Sequence, residues 1–163
     1  MQEQAAMKSM DYGRLASLLR GQRWACIGTL ADNKPYVSWV AVVAEPDFAG
    51  VVLHLSRLAK HTRNLEANHS VSLTLSEADD GQSDPQQLAR LTLEGEIALV
   101  TPEDADYARL RKLYLERLPD AEMLFQFSDF SLFRFTPRSG RYVEGFASSH
   151  AIDPESLRVA SQV

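Results

Sequence analysis

Cysteine is nearly absent from this sequence. Cys26 stands alone among 163 residues, so no internal disulfide can form and the fold has to rest on its own core. Long apolar runs are missing as well: no segment approaches the roughly 20 consecutive apolar residues that cross a bilayer. The opening residues, MQEQAAMKSMDYGR, lack the apolar stretch of a secretory signal. These absences predict a cytoplasmic protein with no membrane partner. Glycine and proline, eight and seven in number, are too sparse for a collagenous or disordered chain. A cationic surplus is also lacking. Asp and Glu number 22 against 17 Lys and Arg, a net charge of -5, which argues against nucleic acid, whose binders present a broad basic face. Neither GxGxxG nor GxxxxGK[ST] occurs, and the four histidines show no metal-ligand spacing such as HExxH, so no metal site is expected.

What is present is 45% hydrophobic residues, enough for a core of its own. A single domain over residues 1–163 is predicted, with a body over about 12–152 and flexible ends at 1–10 and 153–163. Met10, Leu15, Leu18 and Leu19 have helical spacing within Met7 to Arg20, and Gly21 follows as a stop. Trp24 to Leu30 and Tyr36 to Ala44 read as strands joined by Ala31-Asp32-Asn33-Lys34-Pro35, a hairpin. Val51 to Leu55 is a third strand, Lys60 to Asn68 a short helix and Val71 to Ser76 a fourth strand. Glu77 to Gln87 is acidic and turn-rich, an exposed loop. Leu88 to Val100 reads as a long strand with a bulge at Gly95. Thr101-Pro102-Glu103-Asp104 predicts a helix start, the helix running to about Arg117. Asp129 to Thr136 and Arg141 to Phe146 are the last strands, separated by a turn at Pro137-Arg138-Ser139-Gly140. Six to seven strands linked by short turns, with few helices, predict a mainly β fold: an antiparallel barrel with peripheral helices.

One segment concentrates chemistry. Ser56, Arg57, Lys60, His61, Thr62 and Arg63 crowd the passage from the third strand into the short helix. Cations and hydroxyls at a strand-to-helix junction suit a phosphate; the alternative is a solvated helix start whose charges face water, with Arg63 paired to Glu66 or Glu77. Trp39 reads as a barrel residue whose ring packs, with cofactor stacking as the alternative. Cys26 reads as a small core residue, and Asp129 as a residue that turns the chain into its strand.

AKHTRNLEANHSVSLTL (Ala59 to Leu75), ARLTLEG (Ala89 to Gly95), FSDFSLFRFTP (Phe127 to Pro137) and RYVEGF (Arg141 to Phe146) come in an order that resembles the FMN-binding split barrels related to pyridoxamine 5′-phosphate oxidase. The last two motifs are most similar to the heme-utilisation, HugZ-type branch. The resemblance implies an FMN-binding oxidoreductase acting on a small, unidentified molecule. It implies that Lys60 and His61 hold the flavin phosphate, with Ser56 and Arg57 beside them. Ser38, Trp39 and Val40 would line the ring edge, Arg90 would reach the cofactor, and a homodimer would form with the site at the subunit interface. His61 departs from the Lys or Arg common at its position, and the arginine-rich clamp for a vitamin B6 phosphate is not evident. The alternative implied by the same branch is a heme-binding or heme-degrading protein, with His150 as axial ligand to the iron. A cofactor-free binding module on the same fold is a further alternative.

Overall fold

The computed structural model describes residues 9–163. Four α-helices, α1 (Tyr12–Gly21), α2 (Lys60–Ala67), α3 (Tyr107–Arg117) and α4 (Pro154–Ser161), surround one sheet. Its eight strands are β1 (Trp24–Ala31), β2 (Lys34–Ala41), β3 (Val43–Ala44), β4 (Val51–Ser56), β5 (Ser70–Ser76), β6 (Arg90–Val100), β7 (Phe130–Gly145) and β8 (Ser148–Ile152). The order is β2-β1-β5-β6-β7-β4-β3, with β8 also on β7, and every pairing is antiparallel. The sheet curls until β2 and β4 approach one another, enclosing Ile27, Leu53, Leu73, Leu93, Phe133 and Phe135. This is the expected mainly β barrel, with one strand more than the sequence predicts.

Local chemistry explains most elements. Asp32 and Asn33 both take positive φ, 51° and 58°, and Ala31 pairs with Lys34. This is the two-residue hairpin that Asn and Asp permit and that matches strand twist. Asp11 caps α1 by accepting a hydrogen bond from the Arg14 N–H at 2.9 Å. The expected start of that helix at Met7 falls on residues outside those described. Strand β4 is nearly all apolar because it is buried on both faces. Val51, Leu53 and Leu55 enter the barrel, while Val52 packs with Val100, Leu110, Tyr114 and Leu132 under α3.

Three expectations are corrected. Pro137 to Gly140 is no turn: β7 runs through it, and the ladder with β6 shifts register between Glu94 and Gly95, where Arg138 is the extra residue. The bulge foreseen at Gly95 is what allows this, because a Cβ there would lie 2.1 Å from the Thr136 carbonyl oxygen, and a proline is tolerated where the ladder breaks. The helix predicted from Thr101 begins instead at Tyr107. Asp104 accepts from both the backbone N–H and the hydroxyl of Thr101, at 2.6 and 3.1 Å, and that local turn displaces the first helical turn. Residues 119–126, unassigned by the sequence, form a 3₁₀ segment. The C-terminal residues, expected to be loose, form α4. Asp153 caps it, Leu157 and Ala160 are buried, and Arg20 of α1 donates to the carbonyls of Ser161 and Val163, both at 2.7 Å. Among the described residues, no helix is long and apolar enough to cross a membrane.

Candidate functional site

The cation-rich run does not form one cradle. Strand β4 carries it up to Ser56, the chain turns at residues 57–59, and α2 begins at Lys60 against β1 and β2. On that side the Lys60 ammonium lies 4.5 Å above the centre of the Tyr36 ring, a cation–π contact that holds the charge at the edge of β2. His61 places Nδ1 2.9 Å from Ser38 Oγ, and burial lowers its pKa below the ordinary histidine value, so the ring is neutral at pH 7. Asn64 donates to Thr29 Oγ1 at 3.1 Å and locks α2 onto β1. No side chain caps the start of α2, and the buried Thr62 hydroxyl finds no partner.

Ser56 and Arg57 turn the other way. Ser56 Oγ donates to Asp129 Oδ2 at 2.5 Å and accepts the Leu58 N–H at 3.1 Å. The Arg57 backbone N–H donates to the Asp129 carbonyl at 2.7 Å, and its guanidinium to the Ser128 carbonyl at 3.1 Å. Asp129 therefore clamps the turn after β4 to the start of β7. Arg63 makes no pair with Glu66 or Glu77. It donates to the Leu58 carbonyl at 2.6 Å, and Glu77 is taken by Arg14. Arg90 stands elsewhere again. It pairs with Ser76, three positions along β5 from Leu73, which is in register with Ser38 through Ile27, and it lies three strands away from β2 in the sheet. Its guanidinium reaches the carbonyls of Gln86 and Leu88, both at 3.3 Å. Within one chain the structure thus groups Ser38, Lys60 and His61, and separates Ser56, Arg57 and Arg90 from them.

On β2 side chains alternate faces. Ser38 and Val40 point inward, Val40 being buried, whereas Val37 and Trp39 point out, 60% and 57% exposed. The expectation that the Trp39 ring packs in the barrel is wrong: it stacks on Trp24, centroids 6.1 Å apart and planes at 3°, on the outer face. Cys26, read as a core residue, also lies outside, opposite Trp39 in the ladder and only half-buried. The alternation is right in both strands; which face meets the core is decided by pairing with β5.

His150 is drawn into a polar cluster. Its Nε2 lies 3.3 Å from Ser148 Oγ and 3.4 Å from Glu144 Oε1, with its side chain 14% exposed. Sequence reasoning missed His54. The residue is 7% exposed, stacks on Phe125 at 3.7 Å between ring centres, and leaves Nδ1 without a partner. A lone histidine inside VVLHLS was the available signal.

The model of the family described as CREG, beta-barrel matches residues 11–157. The chain is 28% identical to "Heme oxygenase HutZ" of Vibrio cholerae over 78% of its own length and 72% of that protein's. It is 30% identical to "Non-canonical heme oxygenase HOZ, chloroplastic" of Arabidopsis thaliana over 90% of its own length. The solved heme binding protein of Mycobacterium smegmatis superposes with a TM-score of 0.81 at 23% identity, covering 94% of this chain. The chain spans 44% of the Arabidopsis protein and 62% of the mycobacterial one.

Proposed function

The chain belongs to the CREG β-barrel family, with the split barrel of the pyridoxamine 5′-phosphate oxidase-like proteins, and on that footing we propose that it binds heme as a homodimer. One observation carries this reading: His61 is a half-buried, neutral imidazole with Nδ1 fixed by Ser38 Oγ at 2.9 Å. An iron ligand is neutral imidazole whose second nitrogen is oriented by a hydrogen bond. Bound heme supplies an iron that, once reduced by an external donor, activates dioxygen. The chain contributes the rest. Ser38 fixes the orientation of the His61 ring through Nδ1, and Lys60, braced on Tyr36, offers a cation to an acidic substituent of the ligand. The relatives named as heme oxygenases support the choice of ligand. His150, held through Nε2 by Ser148 and Glu144 and placed on β8 away from Lys60, is the second candidate for the iron.

The dimer rests on the outer face of β1 and β2, where Trp24 and Leu30 of β1 and Val37 and Trp39 of the edge strand β2 are exposed side by side. Such a patch on an unprotected edge favours association with a second copy. Trp39→Glu is expected to halve the mass seen by light scattering; an unchanged dimer mass would remove this face from the interface.

A second reading is favoured by α2 itself. Its uncapped start and Lys60 suit the phosphate of FMN, in an oxidoreductase acting on a small molecule. One set of spectra separates the two. Hemin titration should give a sharp Soret band with affinity weakened about tenfold or more by His61→Ala and unaffected by His150→Ala. Bands indifferent to His61 would remove the heme reading as stated. Flavin absorption near about 450 nm in the purified protein, weakened by Lys60→Ala, would favour the second.

A further inference from the structure

The side of β4 away from β2 carries a site of its own. A cavity of about 290 Å3 lies between the start of β7, the end of β6 and the segment before α3, with Leu99, Phe125, Phe130 and Leu132 in its walls. His54 forms part of the same wall. Its ring lies flat on Phe125, the planes at 8°, with Phe130 tilted across it at 5.2 Å. Polar groups buried this deeply are normally hydrogen-bonded, yet Nδ1 of His54 has no partner. Arg57 borders the cavity and spends one N–H on the Ser128 carbonyl, so that more of its planar fork is available to a carboxylate. Glu103 stands exposed at the mouth. Arg111, over the far side of Phe125 at 4.8 Å, is already paired with Glu122.

We propose that this cavity binds a small aromatic monocarboxylate with a ring hydroxyl, the carboxylate on Arg57 and the hydroxyl donated to the His54 imidazole. The aromatic walls and the volume suit one ring or two, near the lower end of small-molecule sites. The single guanidinium available, set against Glu103, suits one negative charge and disfavours a dianionic phosphate. Burial pushes the His54 pKa down to about 4, which keeps the imidazole neutral at pH 7 and one of its ring nitrogens able to accept. The site faces α3 rather than α2 and does not depend on the heme reading.

The probe is 4-hydroxybenzoate, titrated by calorimetry into the full chain without added heme or flavin. Saturable binding is expected, weakened about tenfold or more by Arg57→Gln, an exposed substitution that leaves the fold intact. Benzoate should bind less tightly than 4-hydroxybenzoate to the unmodified protein, and equally in His54→Phe, which keeps the aromatic wall and removes the acceptor. Absence of saturable binding at millimolar probe overturns the proposal, as does affinity insensitive to Arg57→Gln.

Discussion

Glu45→Ala is expected to destabilise the protein by about 3 kcal/mol, the lower end of what removing one partner of a buried ion pair costs. The Glu45 carboxylate is 4% exposed and takes Nη1 of Arg109 at 2.9 Å on one oxygen and Nε of Arg134 on the other. Arg134 lies on β7 and Arg109 on α3, so one carboxylate ties the barrel to its outer helix. Bare Gly50 makes the room: a Cβ there would lie 2.1 Å from Glu45 Oε1. Without the carboxylate, the Arg134 guanidinium, 29% exposed, keeps its desolvation and loses its counter-charge. For a chain of this size the loss amounts to a fall of roughly 6–12 °C in the midpoint of thermal unfolding. Replacing both Glu45 and Arg134 by Met should recover much of it, because an apolar pair carries no desolvation cost. A single-variant loss below about 1 kcal/mol would mean that the network orients α3 without stabilising it.

The second large effect is acid destabilisation through His54. Its folded pKa lies near 4 against 6.5 for the free side chain, chiefly through burial, with the nearby Arg111 charge acting in the same direction. Between those two values the unfolded chain binds the proton and the folded chain does not. Protonation therefore favours unfolding, and stability falls as pH falls from about 6.5 to about 4. At roughly 1.4 kcal/mol per unit, the loss attributable to His54 approaches about 3 kcal/mol, all of it absent above pH 7. Denaturant unfolding of the unmodified protein and of His54→Phe, compared at several pH values, isolates this contribution from that of the carboxylates. The gap between the two should widen in favour of the variant as pH falls. A constant gap across the window would show that His54 titrates normally.

Both effects arise where sequence reasoning had little to say, and the reason is the same. In the sequence Glu45 opens Glu45-Pro46-Asp47, which is turn chemistry like that of any loop, and His54 is one polar residue in a strand. Each matters because residues about 60 to 90 positions away in the chain close over it, as the 64- and 89-residue separations from Glu45 to its two arginines show. The candidate site divides in the same way. Lys60 and His61, named for a phosphate, lie beside Ser38, named for a ring edge; Arg57 and Ser56, adjacent in sequence to the first pair, are pulled to Asp129 and the other side of β4.

By itself the sequence determined what depends on neighbours along the chain. That covers the Asp32-Asn33 hairpin, the strand periodicities, the bulge at Gly95, a core without disulfides, and the motif order that marks the split barrel. These follow from backbone sterics and from apolar residues repeating every second position. Tertiary structure decided which face of each strand meets the core, so that Trp39 and Cys26 lie outside. It carried β7 through Pro137, and it sent one cation of a contiguous run to β2 and another to the His54 cavity. A strand alternates its side chains whatever surrounds it; only pairing with the rest of the sheet says which alternate is buried.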